Sequence, residues 1–187
     1  MRIGILTGGG DAPGLNAAIR AIVRKGTVNG AEMLGFRNGW RGVMDGDVRE
    51  LTKESVQGIL HRGGTILGSS GADPYHEGGT ANVRRTFADL ALDGLIAVGG
   101  EGTLGAAAHM TEEGLPVIGV PKTIDNDLSG TDACIGFATA VQIATDAIDR
   151  LHSTAESHHR VMVAEVMGRN AGWIAVSAGL AGGADLI

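Results

Sequence analysis

The sequence has little cysteine, no long apolar run and no excess of positive charge, and each absence excludes a class of protein. Its single cysteine, Cys134, cannot form a disulfide within the chain, which favours a reducing compartment. No segment reaches the ~18 consecutive apolar residues needed to cross a bilayer, and the N-terminus lacks a signal-peptide pattern. The net charge of −6 disfavours non-specific nucleic-acid binding, because such binding depends on neutralising phosphates. We therefore expect a cytoplasmic protein with neither a membrane nor a nucleic acid as a partner.

Glycine, by contrast, is abundant. The chain has 32 glycines, well above the usual share of about 7%. They do not recur at every third position, which excludes a collagen-like chain. Many follow apolar runs, where a tight turn or the close approach of a ligand to the backbone requires a residue without Cβ.

Apolar runs alternate with helical segments along the chain. Runs that are apolar throughout predict strands that are buried on both faces of a parallel sheet. The predicted strands are 3–7, 32–37, 95–98, 117–120 and 161–166, and 184–187 resembles the beginning of another. The predicted helices are 15–25, 52–60, 81–92, 103–113, 136–157 and 171–180. This alternation predicts an α/β fold with a doubly wound, mostly parallel sheet and helices on both faces.

Two glycine-rich motifs follow predicted strands, where ligands of such sheets bind. Residues 8–14 read Gly-Gly-Gly-Asp-Ala-Pro-Gly, and residues 99–103 read Gly-Gly-Glu-Gly-Thr. Glycine amides that lead into the N-terminus of a helix form an anion site. Glu101 would place a carboxylate beside a bound phosphate, which is unfavourable unless a cation such as Mg²⁺ lies between them. The alternative for each motif is a tight strand–helix turn without a ligand.

A third motif, residues 121–127, follows the predicted strand 117–120 and reads Pro-Lys-Thr-Ile-Asp-Asn-Asp. It combines Lys122 and Thr123 with the carboxylates of Asp125 and Asp127. A carboxylate can accept the proton of an attacking alcohol, which accelerates reactions by a factor of about 10² to 10⁴. The alternative is a polar turn that is held by side-chain hydrogen bonds.

Two arginines border the predicted strand 161–166. Arg160 precedes it, and Arg169 follows it. Arginine binds phosphate oxygens through paired hydrogen bonds. A straight strand, at about 3.3 Å per residue, would hold the two arginines roughly 30 Å apart. A site shared between subunits would reconcile this distance with one phosphate, and a solvated surface charge is the alternative for Arg160.

Together these motifs resemble the 6-phosphofructokinase family over nearly the whole chain, with the Pro-Lys-Thr-Ile-Asp-Asn-Asp motif the most specific of them. The lysine in this motif resembles an ATP-dependent, actinobacterial branch of the family. The resemblance implies transfer of a phosphoryl group from ATP and Mg²⁺ to the 1-hydroxyl of fructose 6-phosphate, which gives fructose 1,6-bisphosphate in glycolysis.

The resemblance also implies roles for individual residues. Asp125 would accept the proton of the sugar hydroxyl, and Glu101 would hold Mg²⁺. The other residues with an implied catalytic role are Thr123, Asp127 and Arg169. The residues implied to bind the donor are Gly10, Gly100, Glu101, Gly102, Thr103 and Lys122. The residues implied to bind fructose 6-phosphate are Thr123, Ile124, Asp125, Arg160, Met167, Gly168 and Arg169.

Two positions bear on the identity of the donor, and they disagree. Gly102 leaves room for the α-phosphate of ATP, whereas the aspartate typical of pyrophosphate-dependent members would exclude it. Lys122 is common in pyrophosphate-dependent members, although it also occurs in an ATP-dependent branch. We give Gly102 more weight, because a side chain that sterically excludes the α-phosphate is harder to accommodate than an added lysine. We therefore predict that the donor is ATP. Pyrophosphate is the alternative donor, and an inactive subunit that binds nucleotide or sugar phosphate is an alternative function.

The sequence departs from the family pattern in three places. Gly71 stands where the family has an arginine that assists the donor phosphates, and His152 replaces an arginine of the effector site, which makes effector control doubtful. Residues 1–187 would form the donor-binding and catalytic domain, without the C-terminal domain that completes the sugar-phosphate site. We therefore expect exposed apolar surface and little kinase activity from this chain alone. A homodimer or homotetramer is expected, in which Arg160 reaches a neighbouring subunit.

Overall fold

A mostly parallel sheet forms the centre of the first part of the chain. The computed structural model describes residues 1–76 and 78–187, which separate into two units, Met1–Lys122 and Thr123–Ile187. The strands that build the sheet of the first unit are β1 (Arg2–Thr7), β2 (Glu32–Phe36), β3 (Val48–Glu50), β4 (Gly94–Gly99) and β5 (Val117–Thr123). The helices of this unit are α1 (Leu15–Val28), α2 (Trp40–Asp45), α3 (Thr80–Asp89) and α4 (Glu101–Glu112).

The strand order places the ends of β1 and β4 side by side. The order is β3-β2-β1-β4-β5, and only the β2–β3 pair is antiparallel among these strands. Thr7 pairs with Val98, and Gly99 pairs with Pro121, so three carboxyl ends meet at one edge. Strands β2 and β3 lie on one side of β1, and the chain then crosses to β4 on the other side. Doubly wound sheets bind ligands at such a crossing.

Alternate residues of β1 point to opposite faces of the sheet. Ile5 and Leu6 are both fully buried, but they belong to separate apolar clusters. Ile5 packs in the cluster of Ile19 from α1, and Leu6 packs in the cluster of Phe87 and Met110 from α3 and α4. Two-sided burial is the reason that the strand is apolar from Ile3 to Leu6, and it confirms the predicted fold class.

The second unit consists of two helices joined to irregular segments. It contains the two-residue strand β6 (Ile135–Gly136) and the helices α5 (Phe137–His158) and α6 (Trp173–Ala181). The two helices pack against each other, and the ring Nε2 of His152 lies 2.6 Å from the carbonyl oxygen of Gly182. None of the described helices combines the length and the apolarity that a bilayer span requires.

The structure corrects two predicted elements outright. Residues 52–60 form turns rather than a helix. Thr52 and Ser55 exchange the hydrogen bonds of a helix start, but Gly58 adopts a left-handed conformation with φ +72° that interrupts a helix. Residues 161–166 form no strand, and Val161 and Val163 are each 91% exposed.

Other segments were missed or misread. Residues 184–187 also form no strand, while α2 and β3 were not predicted. In α2, Gly42 is the point where the helix packs against the backbone of Arg37, with which a Cβ would collide. The expected exposed apolar surface is present in both units, for example at Ile118 and Leu180.

Candidate active site

The two predicted glycine turns are in contact at the carboxyl edge of the sheet. The Gly8 amide donates to the carbonyl oxygen of Val98 over 3.0 Å, which ties the first turn to the end of β4. A Cβ built on Gly9 would lie 3.8 Å from the Gly100 nitrogen and 3.7 Å from Thr103 Oγ1. The motifs after β1 and β4 therefore form one structural feature, which we call the paired glycine turns (residues 8–10 and 99–102).

Only part of the first turn offers its amides to a ligand. The Gly8 amide binds Val98, and the Gly9 amide donates to the carbonyl oxygen of Ser70 over 2.9 Å. Among the described residues, no hydrogen-bond acceptor is found for the Gly10 amide, and a Cβ on Gly10 would meet no atom within 4 Å. The predicted anion site therefore narrows to Gly10, the residue of this turn to which the family resemblance had assigned donor binding.

Thr103 fills the space between the paired glycine turns. It is 6% exposed, and its carbonyl oxygen accepts a hydrogen bond from the indole nitrogen of Trp40 over 3.2 Å. A Cβ on Gly8 would lie 2.5 Å from Thr103 Oγ1, and a Cβ on Gly99 would collide with the same side chain. Glycine is needed at both positions because Thr103 occupies the volume in which their side chains would lie.

Replacing Gly99 with alanine is therefore expected to destabilise the protein by about 1 to 3 kcal/mol, the usual cost of overpacking. Gly10→Ala is the matched control for stability, because a Cβ there meets open space. Urea unfolding of both variants measures the difference. Equal free energies of unfolding for Gly99→Ala and Gly10→Ala would contradict the role of Thr103 as a spacer.

Lys122 places a buried cation beneath the first turn. The side chain is 3% exposed, and Nζ donates to the carbonyl oxygen of Gly10 over 2.5 Å. The same nitrogen lies 3.6 Å from the Cβ position of Gly9. A buried ammonium group is costly without compensating oxygens, so the turn and the lysine stabilise each other. The sequence predicted a lysine near the donor but not its burial.

The N-terminus of α4 supplies the other side of the site. Gly100 caps the helix, and Glu101 and Gly102 are its first two residues, both exposed. The first amides of a helix have no partner within the helix, and they favour anions. A Cβ on Gly102 would meet no atom within 4 Å, so space is open at this position.

The described residues contain no cluster of three or more acidic, histidine or cysteine side chains that could hold a metal. Mg²⁺ commonly binds through one or two carboxylates together with phosphate oxygens of the substrate. Glu101, at the start of α4 and beside the paired glycine turns, fits that arrangement.

Sequence reasoning missed the segment of residues 62–70, which lies against the first turn. Ser69 Oγ donates to the carbonyl oxygen of Gly9 over 2.5 Å, and Ser70 Oγ donates to that of Asn38 over 2.6 Å. The Gly-Ser-Ser run at 68–70 was the signal that could have indicated a turn. The neighbouring Gly71 is exposed, and a Cβ there would meet no atom within 4 Å.

The second unit begins with the predicted catalytic loop. The Asp125 amide donates to Thr123 Oγ1 over 3.1 Å, and Asn126 Oδ1 accepts a hydrogen bond from the Cys134 amide over 2.8 Å. Asn126 adopts a left-handed conformation with φ 50°, which asparagine tolerates better than most residues. Burial raises the pKa of the Cys134 thiol, and the carboxylate of Asp127 raises it further. Ile124 and Asp125 are half-buried, and Asp127 is exposed.

Four of the residues predicted to bind the sugar phosphate, Arg160, Met167, Gly168 and Arg169, lie around the irregular segment that follows α5. Arg160 is exposed, and its amide closes the end of α5 by donating to Ala155 over 3.0 Å. Met167 is 75% exposed, and Gly168 packs so closely against Ala171 that a Cβ would collide with its carbonyl oxygen. Arg169 is exposed. The 30 Å separation of the two arginines rested on the strand that is absent here.

The boundary between the units divides the predicted site residues into two sets. All residues predicted to bind the donor lie in the first unit, and all residues predicted to bind the sugar phosphate lie in the second. The boundary falls between Lys122 and Thr123, inside the third motif.

Comparison with known proteins finds one family throughout. Residues 2–187 match the family described as phosphofructokinase. The chain is 63% identical to a pyrophosphate–fructose 6-phosphate 1-phosphotransferase of Amycolatopsis methanolica and 54% identical to ATP-dependent 6-phosphofructokinase 3 of Streptomyces coelicolor. Both alignments cover 100% of this chain and 55% of the relative, so the chain spans about half the length of the curated relatives it matches.

Solved structures show the same likeness. Phosphofructokinase from Saccharomyces cerevisiae matches with a TM-score of 0.87 and 33% identity, over 98% of this chain and 28% of that one. A pyrophosphate-dependent phosphofructokinase from Marinobacter aquaeolei matches with a TM-score of 0.80 and 25% identity, over 97% of this chain and 50% of that one.

Proposed function

Because the chain belongs to the phosphofructokinase family, we propose that it supplies the donor site and the catalytic carboxylate for phosphoryl transfer from ATP to the 1-hydroxyl of fructose 6-phosphate. The observation that carries the proposal is the convergence in the first unit of Gly10, Lys122 and the N-terminus of α4. These groups offer a backbone amide, an ammonium group and the positive end of a helix to a polyphosphate.

Each group has a distinct task in this proposal. The Gly10 amide and the first amides of α4 bind phosphate oxygens, and Lys122 offsets their charge from below. Glu101 would hold Mg²⁺, which when bound would neutralise charge on the transferring phosphate. Thr103 keeps the paired glycine turns at a constant spacing.

The second unit would supply the acceptor chemistry. Asp125 would accept the proton of the sugar hydroxyl as that oxygen attacks phosphorus, and Asp127 would act beside it. Thr123 holds the loop through its bond with the Asp125 amide. Arg160, Met167, Gly168 and Arg169 would bind fructose 6-phosphate, with Ile124 lining the same loop and Arg160 serving a neighbouring subunit of a cytoplasmic homodimer or homotetramer.

Pyrophosphate is the second candidate for the donor, and two observations favour it. Relatives that are 63%, 62% and 58% identical carry the name pyrophosphate–fructose 6-phosphate 1-phosphotransferase. The buried Lys122 ammonium adds a positive charge, which suits a compact diphosphate. The open space at Gly102 supports ATP, because the α-phosphate needs that volume.

Initial rates with each donor test the proposal. The full-length product of the gene that encodes this chain is expected to phosphorylate fructose 6-phosphate with Mg²⁺-ATP. Activity with pyrophosphate alone would replace ATP by the second candidate, and activity with neither donor would contradict the proposed reaction. Residues 1–187 alone are expected to show little turnover, and robust turnover by them would contradict the view that the sugar site is incomplete.

A further inference from the structure

Asn16, the second residue of α1, forms all its side-chain hydrogen bonds with one segment, residues 62–66. It is 2% exposed, and its Nδ2 donates to the carbonyl oxygens of Arg62 and Gly63, each over 3.1 Å. Its Oδ1 accepts a hydrogen bond from the Ile66 amide over 2.8 Å. Both polar atoms of a buried amide are thus satisfied by residues 62–66, about 50 positions away in sequence.

The same segment continues to the first glycine turn. Thr7 Oγ1 lies 2.8 Å from Thr65 Oγ1 and donates to the carbonyl oxygen of Gly68 over 2.8 Å. Two residues further on, Ser70 accepts the hydrogen bond of the Gly9 amide. A continuous series of hydrogen bonds therefore runs from Asn16, through segment 62–70, to the backbone of Gly9.

We propose that Asn16 is a positioning residue, which fixes the first glycine turn through segment 62–70 without touching the donor. The conformation of this turn determines where Gly10 and its carbonyl-bound Lys122 lie. The consequence for donor binding rests on the proposed function, but the effect of Asn16 on the turn does not.

Asn16→Asp is the sharpest test because it keeps the shape and the acceptor but loses both donor hydrogens. The new oxygen would face the carbonyl oxygens of Arg62 and Gly63, and a lost buried hydrogen bond is worth about tenfold or more in an equilibrium. An acidic residue in the first turn of a helix is tolerated, so α1 should form. Asn29→Asp, which places the same change at the exposed end of the same helix, is the matched control.

Amide hydrogen exchange reads out the turn directly. Asn16→Asp is expected to accelerate exchange at Gly9 about tenfold, while Leu95, whose amide binds Pro116 in the sheet, stays unchanged. The Ile66 amide keeps its acceptor in Asn16→Asp, so a purely local role for Asn16 would leave both Ile66 and Gly9 protected. Asn29→Asp should match the original protein at all three amides.

Titration with Mg²⁺-pyrophosphate measures the effect on donor affinity. Pyrophosphate is a suitable probe because both candidate donors contain a diphosphate group. We expect an affinity about tenfold weaker for Asn16→Asp and unchanged for Asn29→Asp. If the original protein fails to bind pyrophosphate while Gly9 responds as expected, the proposed donor site fails and the role of Asn16 in the turn stands. Faster Gly9 exchange with undiminished pyrophosphate affinity would overturn the link between the turn and the donor.

Thr65→Val provides a second route if Asn16→Asp unfolds and exposes Leu95 as well. Valine has the shape of threonine but removes the bonds to Thr7 and to the Leu67 amide. Exchange at Gly9 should again accelerate, by a smaller factor. Unchanged Gly9 protection in a folded Asn16→Asp or Thr65→Val protein overturns the proposal.

Discussion

Replacing Asp125 with asparagine is expected to lower kcat by a factor of about 10² to 10⁴, the usual contribution of a general base. Asparagine has the same shape, and the loop bond from the residue 125 amide to Thr123 Oγ1 involves only backbone at this position. The variant should therefore fold normally and lose only the group that accepts the proton. Steady-state kinetics of the full-length gene product, with ATP and with pyrophosphate, measure the loss.

A control variant and the KM for the donor show whether the loss of kcat is specific to Asp125. Asp132→Asn removes an exposed carboxylate from the same unit, and it should leave kcat unchanged. The KM for the donor should change little in Asp125→Asn, because the predicted donor residues belong to the first unit. A variant with undiminished kcat would remove Asp125 from the chemistry and favour a binding subunit without catalysis.

Replacing Gly102 with aspartate is expected to lower kcat/KM for ATP about a hundredfold and to spare pyrophosphate. The new carboxylate would enter the open space beside α4 and oppose the α-phosphate, and like charges in close contact cost several kcal/mol. Pyrophosphate has no α-phosphate and no nucleoside, so it avoids this position. Aspartate in the first turn of a helix is favourable, so the fold should not suffer.

Comparison of both donors with the same enzyme preparation checks this result. Ala108→Asp adds the same charge at an exposed position of the same helix, and it should leave both activities unchanged. Equal losses with ATP and pyrophosphate would mean that Gly102 supports the site generally. Unchanged ATP kinetics would show that the α-phosphate does not pass near this residue.

Local patterns predicted the strands that matter most for the site. β1, β2 and β4 were found because strands that are buried on both faces are largely apolar. β5 was found from its apolar run, although Ile118 within it is exposed. The same pattern failed at residues 161–166, since apolar composition reports a tendency to be buried and cannot supply a neighbouring strand. No described strand pairs with this segment, and Val161 and Val163 lie in solvent.

Two of the predicted site residues lie in environments that the sequence did not indicate. A lysine beside the donor was expected, yet the bond between Lys122 and Gly10 joins residues 112 positions apart. Thr103 was expected to line the donor, and the structure shows it buried between two glycine turns. Neither contact leaves a periodic signal, because both depend on the order of strands in the sheet.

The amino-acid sequence alone determined the class of fold and the family, and it supplied the residues that we propose to carry the chemistry. The class of fold follows from strand and helix periodicity. The family and the proposed residue roles follow from the resemblance of the glycine, lysine and carboxylate motifs at the ends of strands. Only the tertiary structure decided that the Gly8 and Gly9 amides are consumed within the protein, that Gly10 faces outward and that Asn16 is tied to segment 62–70. Hydrogen bonds between distant residues depend on how strands and loops pack in space, and a linear sequence does not record that packing.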